Sequence, residues 1–341
     1  MVIAPERSSR SALKAWVPTV VAPHLGFVCA TAGATAGATD EAAVYAACEA
    51  AMVDPTIVEP ERRVAAADGR PSDWVPIANA VMDAASQGVA GVVVVHGIET
   101  VAYAAAGLSF LLAGRVEVPV VLTTWNTAPP AIESDAATNV QGAMAAASYL
   151  PPATYLAFAG LAGHRCDVFL GTRARYRHAG GRSLVSTGRQ PVARIADGSI
   201  LVEAPPRPPA EPWSPPALGA DDRVLALRLH PGCPLDALAK SLTGIRGVVV
   251  ELYPNGACPT SPGDASIGRF VTECTGRGIP VVGITHYGWG VDPAHPNMAA
   301  FTSAGGVVVR LPMESAVAKL AVALAQDGDP AAIVARQWEH R

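Results

Sequence analysis

The chain has 341 residues, half of them apolar and 16% charged, with a formal net charge of −4. That balance excludes a disordered chain, and the weak negative charge offers no electrostatic footprint for nucleic acid. The length suits two hydrophobic cores better than one. The abundance of Ala, Gly and Pro reads as a compositional bias without functional content.

In chain order, Arg7, Arg10 and Lys14 precede Trp16-Val17-Pro18. The apolar stretch runs on into the first strand candidate, so no cleaved leader is expected. Strands are predicted at Leu25 to Ala30, Gly91 to Val95, Val118 to Thr123 and Thr154 to Phe158. They are solidly apolar, as strands covered on both faces are. Helices are predicted between them at Asp40 to Met52, Ser72 to Ser86, Thr100 to Leu112 and Asp135 to Tyr149, with Ser72 and Asp135 as N-caps. The alternation predicts βα units and a mostly parallel sheet. Ala204 to Pro216 (APPRPPAEPWSPP) must be an extended, semi-rigid connector, because proline lacks the N–H and fixes φ.

A second alternating block follows. Strands are predicted at Arg223 to Leu229, Gly247 to Leu252, Pro280 to Ile284 and Gly306 to Leu311. Helices are predicted at Leu235 to Leu242, Ser266 to Gly276, Glu314 to Gln326 and Pro330 to Trp338. This divides the chain into an N-terminal α/β domain over 20–203, a linker over 204–220 and a C-terminal α/β domain over 221–341. No internal repeat is visible.

Six cysteines are scattered without a CxxC pair, which argues for free thiols and against a zinc ribbon. No apolar run reaches the ~18–20 residues of a membrane helix. A cytoplasmic protein without membrane or nucleic-acid partners is expected. No spacing implies a metal or an organic cofactor.

Ligands of open α/β sheets gather at the carboxyl ends of the strands, and there the motifs begin. Thr31-Ala32-Gly33-Ala34-Thr35-Ala36-Gly37 follows the first strand, and His96-Gly97-Ile98-Glu99-Thr100 follows the second. Between them lies Pro71-Ser72-Asp73-Trp74, and further on come Pro119 to Leu122 with Ser134-Asp135 and Asn139, Leu227 to Gly232, and Arg277 to Val282. In that order the segments resemble the bacterial L-asparaginase/glutaminase family. Its corresponding motifs read T-G-G-T-I-A-G, P-E-D-W, H-G-T-D-T, K-P-V-V with S-A-D-G-x-x-N, K-L-x-P-G and R-G-I-P-V-V. The resemblance covers roughly residues 25 to 340. It implies a two-domain asparaginase-like fold: a larger, mostly parallel N-terminal domain and a smaller, flavodoxin-like C-terminal α/β domain.

The chemistry implied by that resemblance is amide hydrolysis through a covalent acyl-enzyme. One threonine attacks, and a second threonine, an aspartate and a lysine activate it. Position by position, the attacking threonine falls on Ala34, and the second threonine and the aspartate fall on Ile98 and Glu99. The lysine falls at or near Arg175, counting back from Leu184 to Ile195; arginine stays protonated and does not relay a proton. The serine that grips the substrate carboxylate falls on Ala66. The Gly-Ala station for the side-chain amide falls on Thr124-Trp125, where an indole would fill the amide's space. The lid segment is shorter than usual for the family, and its tyrosine has no clear counterpart beyond the nearby Tyr45. Asn255-Gly256-Ala257 matches a loop that reaches the neighbouring subunit's site, with Ala257 replacing an asparagine. Together these changes are incompatible with the parent mechanism.

The candidate catalytic residues are therefore Glu99, Arg175, Tyr176 and Thr35. The candidate substrate-binding residues are Thr31, Ala34, Asp68, Ile98, Thr100, Trp125 and Asn255. Glu99 has two readings: a buried acid–base group with a raised pKa, or a carboxylate favouring the N-terminus of the helix at Thr100. Thr35 is either a displaced nucleophile or an inward-packing residue, and Thr31 reads as structural. His96 reads as a structural hydrogen-bonding residue ahead of a catalytic one. Arg173, Arg175, Arg177 and His178 form either an anion-binding cluster or a solvated face. Tyr176 is a proton donor or a packing residue. Cys29 reads as core, and Thr285 to Trp289 as a new pocket wall or interface packing.

Three functions follow. The first is a repurposed enzyme doing acid–base chemistry on a carbonyl or amide compound, with secondary metabolism as the setting. The second is a non-catalytic ligand- or partner-binding relative. The third is a residual amidohydrolase using Thr35. The resemblance also implies a homodimer or homotetramer with sites at subunit interfaces, acting on a small molecule.

Overall fold

In a computed structural model the chain is described over residues 17–18, 24–32, 44–46, 48–49, 53–127, 134–159, 165–179, 182–187, 190–261, 263, 266–285 and 298–340. Ala34, Thr35, and residues 286–289 of the Thr285 to Trp289 segment lie outside them. For Thr31, Arg177 and His178 only the backbone is described.

The larger sheet has nine strands. Five are parallel: β4 (Asp54–Val58), β2 (His24–Cys29), β6 (Val92–Val95), β7 (Val120–Thr123) and β8 (Thr154–Phe158), side by side in that order. Beyond β8 the sheet turns antiparallel through β9 (Cys166–Leu170), β12 (Ala193–Ala196), β13 (Ser199–Val202) and β1 (Val17–Pro18). Because side chains alternate across a strand, β6 shows how the sheet is filled. Val92 and Val94 point into a core shared with α2 (Trp74–Ser86) and α3 (Val101–Leu111). Val93 and Val95 point into a second core containing α4 (Ala136–Tyr149). A further helix, α1, is described at residues 44–46 and 48–49. Two short sheets accompany this one: β3 (Thr31–Ala32) with β5 (Val64–Ala65), and the hairpin β10 (Ala174–Ala179) with β11 (Arg182–Ser186).

The smaller sheet has four parallel strands in sequential order, β14 (Val224–Arg228), β15 (Gly247–Leu252), β16 (Val281–Thr285) and β17 (Val307–Val308). Helices α5 (Leu235–Lys240), α6 (Ile267–Gly276) and α7 (Ala299–Ser303) cover one face. The other face, with α8 (Met313–Leu324), merges into the core that holds α2 and α3. The two sheets thus share one apolar interior. Helix α9 (Pro330–Ala335) follows, and Trp338 behind it packs edge-on against Trp213 from the proline run.

Both predicted N-caps have other work. Ser72 starts no cap of its own: its N–H and Oγ donate to Asp222 of the second domain at 2.8 and 2.9 Å. Asp135 makes no side-chain capping bond to the α4 backbone. It accepts instead from the N–H groups of Asn126 and Thr127 and from Asn139 Nδ2, all near 3.0 Å. A carboxylate of this kind ties down the loop after β7, where Trp125 sits. The strands β9 to β13 are not among those expected from sequence. Charged residues such as Asp167 and Arg194 interrupt their apolar runs.

The helices on the shared core approach closely. A Cβ on Gly107 would lie 2.3 Å from the Trp74 ring. Gly107→Ala is expected to cost about 1–3 kcal/mol from overpacking, read as a lowered urea midpoint with unchanged slope. No disulfide joins the six cysteines, and burial pushes the Cys48 and Cys274 thiols up to about 11. Cys29 is fully buried in the sheet, a core residue as expected.

Candidate functional site

The carboxyl ends of β2, β6 and β7 bring the candidate segments together. Ala30 N–H donates to Val95 O at 2.8 Å, and His96 N–H donates to Thr123 O at 3.0 Å. Past β2 the chain pairs again, Thr31 with Val64 and Ala32 with Ala65, which sets the first two residues of the first signature beside the strand that leads into Ala66. Thr100 then donates its Oγ1 to Ala66 O at 2.8 Å. Thr100 is thus a tie between two loops rather than a cap for its helix.

His96 is 6% exposed, and its Nδ1 lies 2.9 Å from Gly97 O. A carbonyl only accepts, so Nδ1 carries the proton and Nε2 keeps its lone pair. Burial lowers its pKa, outweighing the Gly97 bond and the nearby charge of Glu99, so the ring is neutral at neutral pH. Glu99 itself is exposed. The burial that motivated its acid–base reading is absent in the single chain. It makes no side-chain cap on α3 either. Its charge nevertheless acts on both His96 and Tyr176, which places all three in one neighbourhood.

Tyr176, on β10, carries the α3 cap. Its phenol oxygen accepts the N–H of Ala102 at 3.0 Å, leaving its own hydrogen free to donate. Burial pushes its pKa up, partly offset by the Ala102 bond. Its ring centroid lies 6.4 Å from that of Tyr103. The backbone N–H of Tyr176 donates to Glu314 Oε1 at 3.2 Å. Glu314 is buried, and desolvation raises its pKa while the Tyr176 N–H and the charge of Arg175 pull it down. The charge of Arg175 thus acts on a carboxylate of its own chain.

Ile98 is half-buried against the shared core, and Trp125 is half-buried against the second core. Asp68 is exposed, in a single-turn helix after Ala66. Asn255 is exposed in the loop after β15, where its Oδ1 accepts the N–H of Ala257 at 3.1 Å. Between Ala30, Ala66, Trp74, His96 and Thr100 lies a cavity of about 10 Å³, room for a single water.

Sequence reasoning misses Glu314 as part of this neighbourhood. A signal is there: α8 reads MESAVAKLAVAL, apolar on all sides apart from Glu314, Ser315 and Lys319. A helix apolar all round is buried, so its charges must find partners inside.

Residues 27–208 match the asparaginase N-terminal family and residues 223–336 the glutaminase/asparaginase C-terminal domain. The chain belongs to the asparaginase family. It is 32% identical to the L-asparaginase of Thermococcus kodakarensis over 266 residues, 76% of this chain and 77% of that protein. The solved structure of the thermostable L-asparaginase from Thermococcus kodakarensis superposes with a TM-score of 0.75 at 26% identity, covering 92% of this chain and 98% of that one. A glutamyl-tRNA(Gln) amidotransferase component from Methanothermobacter thermautotrophicus is 32% identical over 216 residues, 62% of this chain. The match spans 48% of that protein's length. The asparaginase scaffold thus carries Ala34 and Ile98 in its two signature regions and Ala66 between them.

Proposed function

We propose that this asparaginase-family protein is a repurposed small-molecule enzyme that does not hydrolyse L-asparagine. It performs acid–base chemistry on a carbonyl or amide compound derived from an amino acid, in a cytoplasmic, secondary-metabolic setting. Glu99 carries this reading. It stands at the carboxyl end of β6, open to solvent, with its charge felt at His96 and Tyr176. An exposed carboxylate can take a proton from a bound substrate, and the free hydrogen on the Tyr176 phenol can stabilise the oxygen that becomes negative. The family's pairing suggests a homodimer or homotetramer in which a neighbouring subunit closes the site over Glu99.

A panel of amino-acid-derived amides, lactams and keto acids, followed by mass spectrometry, tests the reading. Glu99→Gln is expected to lower any turnover found by ~10²–10⁴-fold. Full activity in that variant would remove Glu99 from the mechanism. One observation favours a second reading, a non-catalytic ligand binder: the cavity of about 10 Å³ at Ala66 and His96 is too small for a substrate. Saturable binding of a panel member without turnover would select it.

A further inference from the structure

Glu314 belongs to the smaller domain but serves the larger one. It lies in the first turn of α8 and is 6% exposed. Oε1 accepts the Tyr176 N–H, and among the described residues the buried Oε2 has no hydrogen-bond partner. The charged and titratable groups around it are Arg175 and Tyr176 of β10, Tyr103 of α3 and Glu251 of β15. A carboxylate so placed is costly to bury, and an apolar residue would fill the position without that cost.

What the carboxylate holds is the residue that caps α3. The first N–H groups of a helix have no partner within it. In α3 the Ala102 N–H finds the Tyr176 phenol, since the Thr100 side chain turns away to Ala66. The segment His96 to Thr100 leads directly into that turn.

We propose that Glu314 is a positioning residue for the candidate site. It fixes the backbone of Tyr176, so that the phenol caps α3 and holds the His96 to Thr100 segment in place from across the domain junction. The inference rests on reading that segment as the functional site, but the linkage itself is measurable without a substrate.

The test is amide hydrogen exchange at Ala102, read by NMR on the full chain. Tyr176→Phe removes the cap and sets the upper limit. Glu314→Ala is expected to speed Ala102 exchange at least ~10-fold, towards that limit. Glu314→Met fills the space without an acceptor and gives the same acceleration should the alanine variant fail to fold. Glu314→Gln keeps an oxygen for the Tyr176 N–H and is expected to stay within ~3-fold of the parent. Ser315→Ala is the control. It removes another bond across the same junction, Ser315 Oγ to Thr172 O at 2.8 Å, without touching Tyr176. It should leave Ala102 unchanged.

Parent-like exchange in both Glu314→Ala and Glu314→Met overturns the proposal, as does equal acceleration in Ser315→Ala, which would indicate general loosening. A failed substrate screen leaves the exchange result standing. A confirmed role for Glu99 does not rescue the proposal if Ala102 is indifferent to Glu314.

Discussion

Supplied with L-asparagine or L-glutamine, the purified protein is expected to release ammonia at least ~10⁴-fold more slowly than relatives that keep both signature threonines. A hydroxyl is a weak nucleophile at its own pKa, so the family's attack depends on the attacking group and its activators acting as a unit. Here Ala34 has no hydroxyl, Ile98 offers nothing to relay a proton, and Ala66 has no donor for the substrate carboxylate. The charge of Arg175 acts on the buried Glu314. Groups that act as a unit are not additive, so restoring one alone, as in Ala34→Thr, is expected to recover little. A coupled ammonia assay at high enzyme concentration reads both results, and family-like turnover by the unaltered chain would refute the expectation.

The second large effect concerns stability. Lys319→Ala is expected to cost about 3–5 kcal/mol, because it strips one partner from a buried pair. Lys319 is 1% exposed. Its Nζ donates to Arg336 O at 2.6 Å and to Glu339 Oε2 at 2.7 Å. It also lies 5.8 Å from the Phe110 ring centre and 5.9 Å from that of Trp338. Burial lowers its pKa, and Glu339 opposes that shift, so the ion depends on its partner. Phe110 lies on α3 of the larger domain and Trp338 near the C-terminus, with ring centroids 5.0 Å apart. The lysine thus clamps the C-terminal segment onto both domains. The double variant Lys319→Met with Glu339→Gln, which buries no charge, is expected to recover most of the loss. Urea midpoints check both, with near-ultraviolet dichroism reporting the Trp213–Trp338 contact. A loss under about 1 kcal/mol in Lys319→Ala would place the pair in the class of weak ion pairs.

Strands β6, β8 and β15 were legible because a strand covered on both faces must be apolar throughout, as Val92–Val95 shows. The family was legible too, from glycines and short motifs that fix the turns at the strand ends. The antiparallel strands after β8 were not, since Asp167 and Arg194 break the apolar runs that mark the other strands. Long-range polar contacts were invisible for another reason. Nothing local marks Ser72 as a donor to Asp222, or Asp135 as an anchor for Asn126 and Thr127 rather than a cap. At the site, sequence pointed to Glu99 and Tyr176 but not to their states. The helix-capping bond of Tyr176 joins residues more than seventy positions apart, Ala102 and Tyr176, and the exposure of Glu99 is a property of the folded chain.

The central claim, that the asparaginase scaffold persists here without its nucleophile, is tested most directly by covalent trapping. An electrophilic diazo-ketone analogue of asparagine alkylates an activated threonine, and intact-mass spectrometry followed by peptide mapping locates the adduct. The account predicts an unchanged mass after prolonged incubation, with a threonine-bearing relative labelled in parallel. A stoichiometric adduct on Thr35 or Thr31 would contradict it and return the protein to the amide hydrolases.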